Sequence, residues 1–367
     1  MNSLRIAENI TRLRKHKGVT QDELASFLGV TKASVSKWEN GQSMPDIVLL
    51  PEIATYFDVT VDELIGYEPQ LSKEQIQKLY GELSEDFAQI PFEEALKKSD
   101  ALVRKYYSCY LFLLQICVLW LNHYTLAETK ERQEEILDRI LKLCNHILEN
   151  CTNTEICSDV LGVKASVDLL CERPQETIDG ICNLLNPKRV LNQSDWMLIQ
   201  AYLMNGEPEK ADSFAQASIY LHLIMLIGDS TYFLAMHMQE RKICKETITR
   251  IDTLINTYHL EKLNPNVVAG YHYQVAVYKA VCGEGNEALE RLHKYAVTVV
   301  SLMTTGMLHG DNYFNKLDSW FEDLDLGSQM PRSKKLVMQS AKENLNNPVF
   351  DNLRERKEFN RIINELK

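Results

Sequence analysis

The residue types with the clearest chemical meaning lie in segment 31–39. On a helix, its outward-facing side chains are polar or small: Lys32, Ala33, Ser36 and Lys37. A lysine ammonium can donate to O6 and N7 of guanine, and an alanine methyl can contact the methyl group of thymine. Val35 and Trp38 fall on the opposite face, where they would anchor the helix to a core. A helix with this outer face is suited to read base edges in double-stranded DNA when its neighbouring elements place it in the major groove.

The rest of the chain has no comparable pattern for catalysis. It contains no P-loop, no H-E-x-x-H pair, no G-x-S-x-G and no dinucleotide fingerprint. Its nine cysteines show no C-x-x-C spacing, and most lie in apolar stretches. Such thiols are typical of protein cores in a reducing cytoplasm. We expect no enzyme activity, no cofactor and no metal site.

A helix–turn–helix over residues 21–40 would position segment 31–39. Its inward positions are apolar: Leu24, Leu28, Val30, Val35 and Trp38. Ala25 falls where the two helices cross, and Gly29 falls at the turn, where a positive φ costs glycine least. The flanking helices carry matching apolar positions, at Leu4, Ile6, Ile10 and Leu13 before the motif and at Leu49, Leu50, Ile53, Ala54 and Phe57 after it. With a fifth helix over 59–65, these elements predict a complete small domain.

The run TQDELASFLGVTKASVSKWENGQSMPD resembles the Cro/cI-type, or Xre, helix–turn–helix family of bacterial and phage repressors. The resemblance covers about residues 4–66 and implies a five-helix, lambda-repressor-like DNA-binding domain over 1–66. Helix 31–39 would then lie in the major groove. The resemblance places Lys32, Ala33 and Lys37 where the family reads bases, and Gln21 where it grips phosphate. Further phosphate candidates are Thr20, Thr31, Ser34 and Asn40.

Several of these residues have a second, structural interpretation. Thr31 could equally be a helix N-cap, or serve both purposes. Arg14 and Glu39 match a family pair that forms a structural ion bridge, so neither is expected to contact DNA. A basic cluster could contact the DNA backbone or merely form a solvated face; it consists of Arg12, Lys15, His16 and Lys17.

The charge balance bears on how DNA would be bound. The whole chain carries −11, which excludes a generally basic nucleic-acid coat. Residues 1–66 contain seven Lys and Arg and nine Asp and Glu, so their formal charge is −2. One such domain neutralises few phosphates and should bind weakly at physiological salt. We therefore expect a homodimer that places two domains on one operator, with half-sites about 34–36 Å apart.

The composition changes near residue 67, and a linker is expected over 67–71. Residues 72–367 show one amphipathic helix after another, with breaks at Pro91, Asn150–Asn153, Pro174, Pro187, Gly206–Pro208, Pro265, Gly283–Gly285 and Pro331. The spacing from Pro174 to Pro208 matches the tetratricopeptide period of about 34 residues. Gly283 repeats the position of Gly206, but at an offset that is not a multiple of that period. The fold class is thus all-α, with a tetratricopeptide-like α-solenoid; a generic stack of helical hairpins is the alternative.

A domain of this family followed by such helices resembles the peptide-pheromone-responsive regulators of Gram-positive bacteria. That resemblance implies a peptide or small-molecule effector on residues 72–367. Several asparagines could pair with peptide amides, although asparagine is also common at turns for local reasons: Asn192, Asn205, Asn264, Asn266 and Asn312. The alternative is a constitutive dimer whose helices form a protein-docking scaffold without a small effector.

The location follows from what the sequence lacks. Segment 1–18 does not form a signal peptide, because Glu8 and Arg12 interrupt any apolar stretch. The most apolar run, residues 109–121, is short of the roughly 20 residues needed for a membrane span. We expect a cytoplasmic protein with no membrane partner.

Overall fold

The computed structural model describes residues 5–67, 70–181, 195–305, 308–327 and 330–366. Over these ranges the chain forms α-helices and short 3-10 turns, with no β-strand. The predicted all-α class is confirmed. The chain divides into two compact units: a first unit of Met1–Ser72 with Arg104–Cys109, and a second unit of Lys73–Val103 with Tyr110–Lys367.

The first unit contains the five predicted helices. They are α1 (Ile6–Lys17), α2 (Gln21–Phe27), α3 (Lys32–Glu39), α4 (Leu50–Phe57) and α5 (Val61–Ile65). Their apolar faces meet in one core that includes Ile10, Leu24, Val35, Ile53 and Leu64, all fully buried. Val30 and Leu13 are partly buried against this core, and Leu4 lies outside the described residues.

Local chemistry explains where these short helices begin and end. The Thr20 hydroxyl accepts the Glu23 amide at 3.2 Å, and the Glu23 carboxylate accepts the Thr20 amide at 2.7 Å. This reciprocal capping box starts α2, and Thr60 starts α5 in the same way. Gly29 follows α2 with φ +68°, a conformation that a residue with a Cβ rarely adopts. Gly29 therefore favours the turn between α2 and α3.

The second unit consists of antiparallel helical hairpins. Its helices are α6 (Lys73–Gln89), α7 (Phe92–Lys105, whose end joins the first unit), α8 (Tyr110–His123), α9 (Lys130–Asn150), α10 (Thr154–Leu170), α11 (Pro174–Ile181), α12 (Asp195–Met204), α13 (Pro208–Met236), α14 (Arg241–Thr257), α15 (Leu260–Leu263), α16 (Pro265–Val281), α17 (Gly285–Thr305), α18 (Leu317–Glu322), α19 (Lys334–Asn344) and α20 (Lys357–Glu365). Each predicted break separates two of these helices, except that Pro187 lies outside the described residues. The breaks after α8 and after α13 were not predicted.

Three hairpins of the second unit share one turn geometry. In the turn after α12, the Gly206 amide donates to Leu203 and the Glu207 amide donates to Tyr202. The turns after α10 and α16 repeat both bonds, and their central residues also have positive φ: 57° at Glu172, 76° at Gly206 and 74° at Gly283. This is the pattern of a Schellman C-cap. The internal resemblance expected from the spacing of Pro174 and Pro208 and from Gly206 and Gly283 is thus, in the described residues, a repeated turn.

Helix α13 departs from the tetratricopeptide expectation. It runs for 29 residues without a break, because no proline interrupts it and Gly228 is tolerated within it. Among the described residues it is the one helix long and apolar enough to cross a membrane by length and composition, and 22% of its most apolar window is buried. The sequence interpretation considered 109–121 and overlooked α13. A core helix can satisfy the same test, and Tyr220, Leu223 and Ile227 of α13 do lie in a core.

A buried polar network ties α14, α16 and α17 together. The Arg291 guanidinium donates to Asp252 Oδ1 at 2.8 Å, and the Tyr271 hydroxyl donates to the same oxygen at 3.0 Å. Burial alone would raise the pKa of Asp252, but the hydrogen bond and charge of Arg291 outweigh it and lower that pKa. Next to this network, burial and the charge of Arg291 lower the pKa of His272 to about 4. The network therefore combines a stable ion pair with a neutral histidine.

Candidate nucleic-acid interface

Helix α3 presents the residues expected to read bases on one exposed face. Lys32, Ala33 and Lys37 are exposed and Ser36 is half-buried, whereas Val35 and Trp38 on the opposite face are buried. Neither lysine forms an ion pair or a side-chain hydrogen bond with any residue that the structure describes. Two positive charges therefore stand uncompensated on a surface of the size and shape that the major groove admits.

The C-terminal end of α3 is fixed by an ion pair. Arg14 of α1 contacts Glu39 through Nε to Oε1 at 2.5 Å and through a terminal nitrogen to Oε2 at 3.0 Å, with the two side chains only 14% and 6% exposed. Burial raises the pKa of Glu39, but the hydrogen bonds from Arg14 and Gln21 and the nearby positive charges outweigh it and lower the pKa. The predicted bridge is confirmed. It holds α3 at a set angle to α1.

Gln21 also bonds to Glu39, a contact that the sequence did not predict. Its Nε2 donates to Glu39 Oε2 at 2.7 Å, so one amide proton of the predicted phosphate ligand is already bound. Gln21 is the first residue of α2, where the N–H groups of Gln21 and Asp22 have no acceptor within the helix and that of Glu23 is bound by Thr20. A phosphate at this helix start would meet those backbone donors and the remaining side-chain proton.

The smaller polar candidates are engaged in local bonds. Thr31 is the N-cap of α3: its hydroxyl accepts the Ser34 amide at 3.2 Å and lies 2.9 Å from the Ser34 hydroxyl. The Thr20 hydroxyl belongs to the capping box of α2. Asn40 Nδ2 donates to the Ser36 hydroxyl at 3.4 Å. The capping interpretation of Thr31 is confirmed, and each of these groups keeps lone pairs or protons for a second partner.

The basic cluster of α1 separates into two parts. Arg12 and Lys15 line a shallow cavity of about 590 Å³ beside Asn40 and Gly41, at the end of α3. Lys17 instead donates to the Tyr56 carbonyl, and its ammonium lies 4.3 Å from the centre of the Tyr56 ring. Arg12 and Lys15 thus remain candidates to contact the DNA backbone, while Lys17 already contacts Tyr56 of α4.

The second unit holds a different kind of candidate site, a cavity of about 480 Å³ between α8, α16, α17 and α19. Polar groups that line it include Asn122, Asn264, Asn266, Asn344 and Arg332. Asn264 has the local role expected of a turn residue, since it caps α16 by accepting the Val267 amide at 3.1 Å. The other asparagines considered from sequence lie elsewhere: Asn205 donates to Glu207 at 2.9 Å, Asn312 is exposed, and Asn192 is outside the described residues.

Metal ligands and disulfides are not part of either site as far as the described residues extend. No group of three or more His, Cys, Asp or Glu side chains there could hold a metal ion. The eight described cysteines are free thiols, and Cys182 lies outside the described ranges. The chemistry of both sites therefore depends on hydrogen bonds and charge.

Known proteins share the first unit of this chain. A helix–turn–helix family profile matches residues 10–64. The HTH-type transcriptional activator BcrR of Enterococcus faecalis is 34% identical over 79 residues, which are 20% of this chain and 39% of BcrR. The uncharacterized HTH-type transcriptional regulator y4dJ of Sinorhizobium fredii is 33% identical over 60 residues, which are 16% of this chain and 78% of that protein. The chain belongs to the helix–turn–helix family of DNA-binding transcriptional regulators.

Membership in this family rests on the first unit. The chain covers less than two thirds of BcrR's own length. Among solved structures, Bacillus thuringiensis PlcR in complex with the peptide PapR7 and DNA aligns at 16% identity, covering 82% of this chain and 96% of PlcR with a TM-score of 0.25. For a helix–turn–helix regulator, the exposed face of α3 is the surface to test first.

Proposed function

We propose that this chain is a sequence-specific, cytoplasmic transcriptional regulator that binds its operator as a dimer. Residues 1–66 would bind DNA with α3 in the major groove, 67–71 would link the units, and 72–367 would dimerise and bind an effector. The observation that carries the proposal is the pair Lys32 and Lys37, exposed without an ionic partner among the described residues. Lys32, Ala33, Ser36 and Lys37 would contact bases, and Thr20, Gln21, Thr31, Ser34 and Asn40 would contact phosphates.

Selection of genomic fragments by the purified protein tests the DNA-binding part. We expect an inverted repeat whose half-sites lie about one or two helical turns apart. The double variant Lys32→Ala/Lys37→Ala should lose this enrichment, since each good lysine–base contact contributes about 1–3 kcal/mol of discrimination. The affinity for the enriched fragment should fall at least tenfold, measured by fluorescence anisotropy at low and physiological salt.

The matched control is Lys97→Ala/Lys142→Ala. It removes the same charge from two exposed lysines of the second unit, so it keeps the long-range electrostatics similar while leaving α3 intact. Equal enrichment by the α3 variant and the control would refute base reading by α3.

An exposed apolar surface on α13 supports the dimer. Met225, Tyr232 and Met236 are 61%, 77% and 77% exposed, and Leu226 and Phe233 line a neighbouring groove of about 950 Å³ with α14. Large contiguous apolar surface on a folded protein marks an interaction site. A second copy of this chain is the proposed occupant, because the charge of −2 on residues 1–66 makes a single domain a weak DNA binder.

Light scattering during size-exclusion chromatography tests this interface. Tyr232→Glu places a charge on the proposed contact and should shift the protein from dimer to monomer. Val297→Glu is the control, because Val297 is also half-exposed but lies on α17. A monomeric wild type, or a Tyr232→Glu dimer as stable as the control, would contradict the proposed interface.

The effector is proposed on the strength of the cavity in the second unit. Its volume of about 480 Å³ falls within the roughly 300–1,000 Å³ of small-molecule sites, and convergent polar groups in a largely apolar wall are typical of them. A scaffold without an effector would need no such cavity. The peptide or small ligand that binds there would alter operator affinity through the dimer.

A further inference from the structure

The cavity of the second unit contains a guanidinium, that of Arg332, with no hydrogen-bond or ionic partner among the described residues. Arg332 lies in the segment that leads into α19, and its Nε is buried and donates to no acceptor among the described residues. No described carboxylate forms an ion pair with Arg332. Burial lowers the pKa of this guanidinium, and the charge of Glu343 offsets only part of that effect. A half-buried charge without compensation is unfavourable, so an anion arriving in the cavity would be stabilised.

The groups around Arg332 do not neutralise it. His123, at the end of α8, is a neutral base: its Nδ1 lies 2.7 Å from the Leu119 carbonyl, and its buried Nε2 has no partner in the described residues. Burial, with a contribution from Arg332, lowers the pKa of His123 to about 4. Helix α16 starts at the same cavity with its N-terminal end, which adds partial positive charge. Arg332 and the N-terminal end of α16 are thus two sources of positive potential at this cavity, and the neutral His123 adds no negative charge.

The remaining polar groups of the cavity suit an amide backbone. Asn266 forms no side-chain hydrogen bond with a described residue, so its donors and acceptor are available. Asn344 Nδ2 donates to the Tyr295 hydroxyl at 3.1 Å, and Asn122 Nδ2 donates to the Val118 carbonyl at 2.9 Å, which leaves both amide oxygens as acceptors. These groups can pair with peptide N–H and C=O groups.

Most of the remaining wall is apolar, apart from Ser340 and the hydroxyl of Tyr295. It includes Val299, Leu302, Leu308, Met330 and Val337. Apolar side chains of a ligand can pack there while its backbone meets the asparagines. A volume of about 480 Å³ limits the bound portion to a small-molecule-sized segment, that is, a few residues.

We infer that Arg332 binds the C-terminal carboxylate of a short apolar peptide held in this cavity. The inference rests on the proposed effector function of residues 72–367 and names its ligand class. A single guanidinium suits the single charge of a carboxylate, and the bidentate pair that arginine forms with carboxylates would satisfy the unpaired nitrogens. Phosphate offers the same pairing chemistry, so the experiment must separate the two.

Affinity selection with mass spectrometry on the full-length protein makes this separation. The probes are a pool of synthetic apolar tetrapeptides with a free C-terminal carboxylate, the same pool with a C-terminal amide, and inorganic phosphate as a competitor. The wild type should retain the free acids at least tenfold more than the amides. Arg332→Gln should abolish this preference, and Arg332→Lys should keep part of it. Arg361→Gln, an exposed arginine of α20, is the control and should behave as the wild type.

The possible failures are distinguishable. Equal retention of acids and amides by the wild type would leave the peptide effector standing and overturn the role of Arg332. Retention of neither pool would overturn both. Protection of the protein against heating by phosphate alone, with no peptide effect, would reassign the subsite to a phosphate ligand and overturn the inference.

A second measurement guards against misfolding of the variant. Because Arg332 has no described ionic partner, its removal should not weaken the ligand-free fold, and Arg332→Gln should melt at or above the wild-type temperature. A melting temperature several degrees lower would mean that Arg332 stabilises the fold through some other contact, and would argue against a site kept for a ligand.

Discussion

The two units leave cations unpaired in different places, although both also contain a paired buried charge. In the first unit the buried charges are paired, as in the bridge of Arg14, Glu39 and Gln21, and the unpaired cations Lys32 and Lys37 stand exposed on α3. In the second unit an unpaired cation, Arg332, is half-buried beside a neutral histidine. An exposed pair of cations suits a polyanion that stays outside the protein. An enclosed cation suits a small ligand that leaves water to reach it.

The largest effect of any single substitution in this comparison should follow loss of the core side chain beneath α3. Trp38 is 5% exposed, so Trp38→Ala should cost about 4 kcal/mol, a large share of the stability of a small five-helix unit. We expect operator binding to disappear while the helical signal of the second unit melts as in the wild type, as followed by circular dichroism. Phe27→Ala, at an exposed position of α2, should retain binding. Loss of both units together would show that their stabilities are coupled.

A comparable test of the second unit removes one member of its buried ion pair. Asp252→Ala leaves Arg291 buried without a carboxylate, which should cost about 3 kcal/mol. The control, Glu246→Ala, breaks the exposed pair with Arg250 on the same helix and should cost less than about 0.5 kcal/mol. Chemical denaturation of the second-unit transition measures both. Equal effects would mean that the Asp252 pair is as solvated as a surface pair.

Acid should destabilise the second unit at a higher pH than the first, because different groups titrate in the two units. His123 and His272 keep folded-state pKa values of about 4, whereas unfolded histidine titrates near 6.5. The unfolded chain therefore binds protons first, and the second unit should lose stability as the pH falls from about 6.5 to 4, by roughly 3 kcal/mol per histidine. In the first unit the pKa of Glu39 is lowered, so its ionised carboxylate stabilises the fold fully until the pH falls below about 4.5.

Melting curves at pH 7, 5.5 and 4.5 check this order. The second-unit transition should move to lower temperature before the first does, and His123→Gln should reduce the movement. A first unit that weakens between pH 6.5 and 5.5 would contradict the assignment of the acid-sensitive groups.

The smallest effect concerns the cap of α3. Thr31→Ala removes the hydroxyl bound to the Ser34 amide and should cost about 1 kcal/mol, and Thr31→Ser should restore it. If Thr31 also contacts phosphate, Thr31→Ala will lower DNA affinity at a temperature where the unit remains folded. Unchanged affinity under those conditions would leave Thr31 as a cap alone.

The sequence was sufficient where structure depends on local chemistry. Gly29 and the turns at Gly206 and Gly283 were placed because a positive φ constrains a few adjacent residues. The capping box of Thr20 and Glu23 is equally local, but it was not predicted. The bridge of Arg14 and Glu39 could be placed because a family pattern supplied the pairing. Gln21 could not be assigned to that bridge, since a flexible amide on a different helix from Glu39 has many alternative partners.

The cavity of the second unit could not be predicted from the sequence for a related reason. Asn122 and Arg332 lie in distant parts of the chain, and only the packing of α8 against later elements brings them to one cavity. In the sequence Pro331 marked a helix boundary, but no motif around Arg332 indicated a binding site. The 29-residue length of α13 was missed because nothing in the sequence marks the absence of a turn.

The bridge at the end of α3 has a consequence for how the DNA specificity proposed for this helix can change in evolution. Glu39, Val35 and Trp38 set the position of the helix, whereas Lys32, Ala33, Ser36 and Lys37 take no part in holding it to the core. The two sets of residues can therefore vary independently. A lineage could acquire a new operator through a few substitutions on the outer face without losing the fold, and an engineer could graft the outer face of another regulator onto this helix for the same reason.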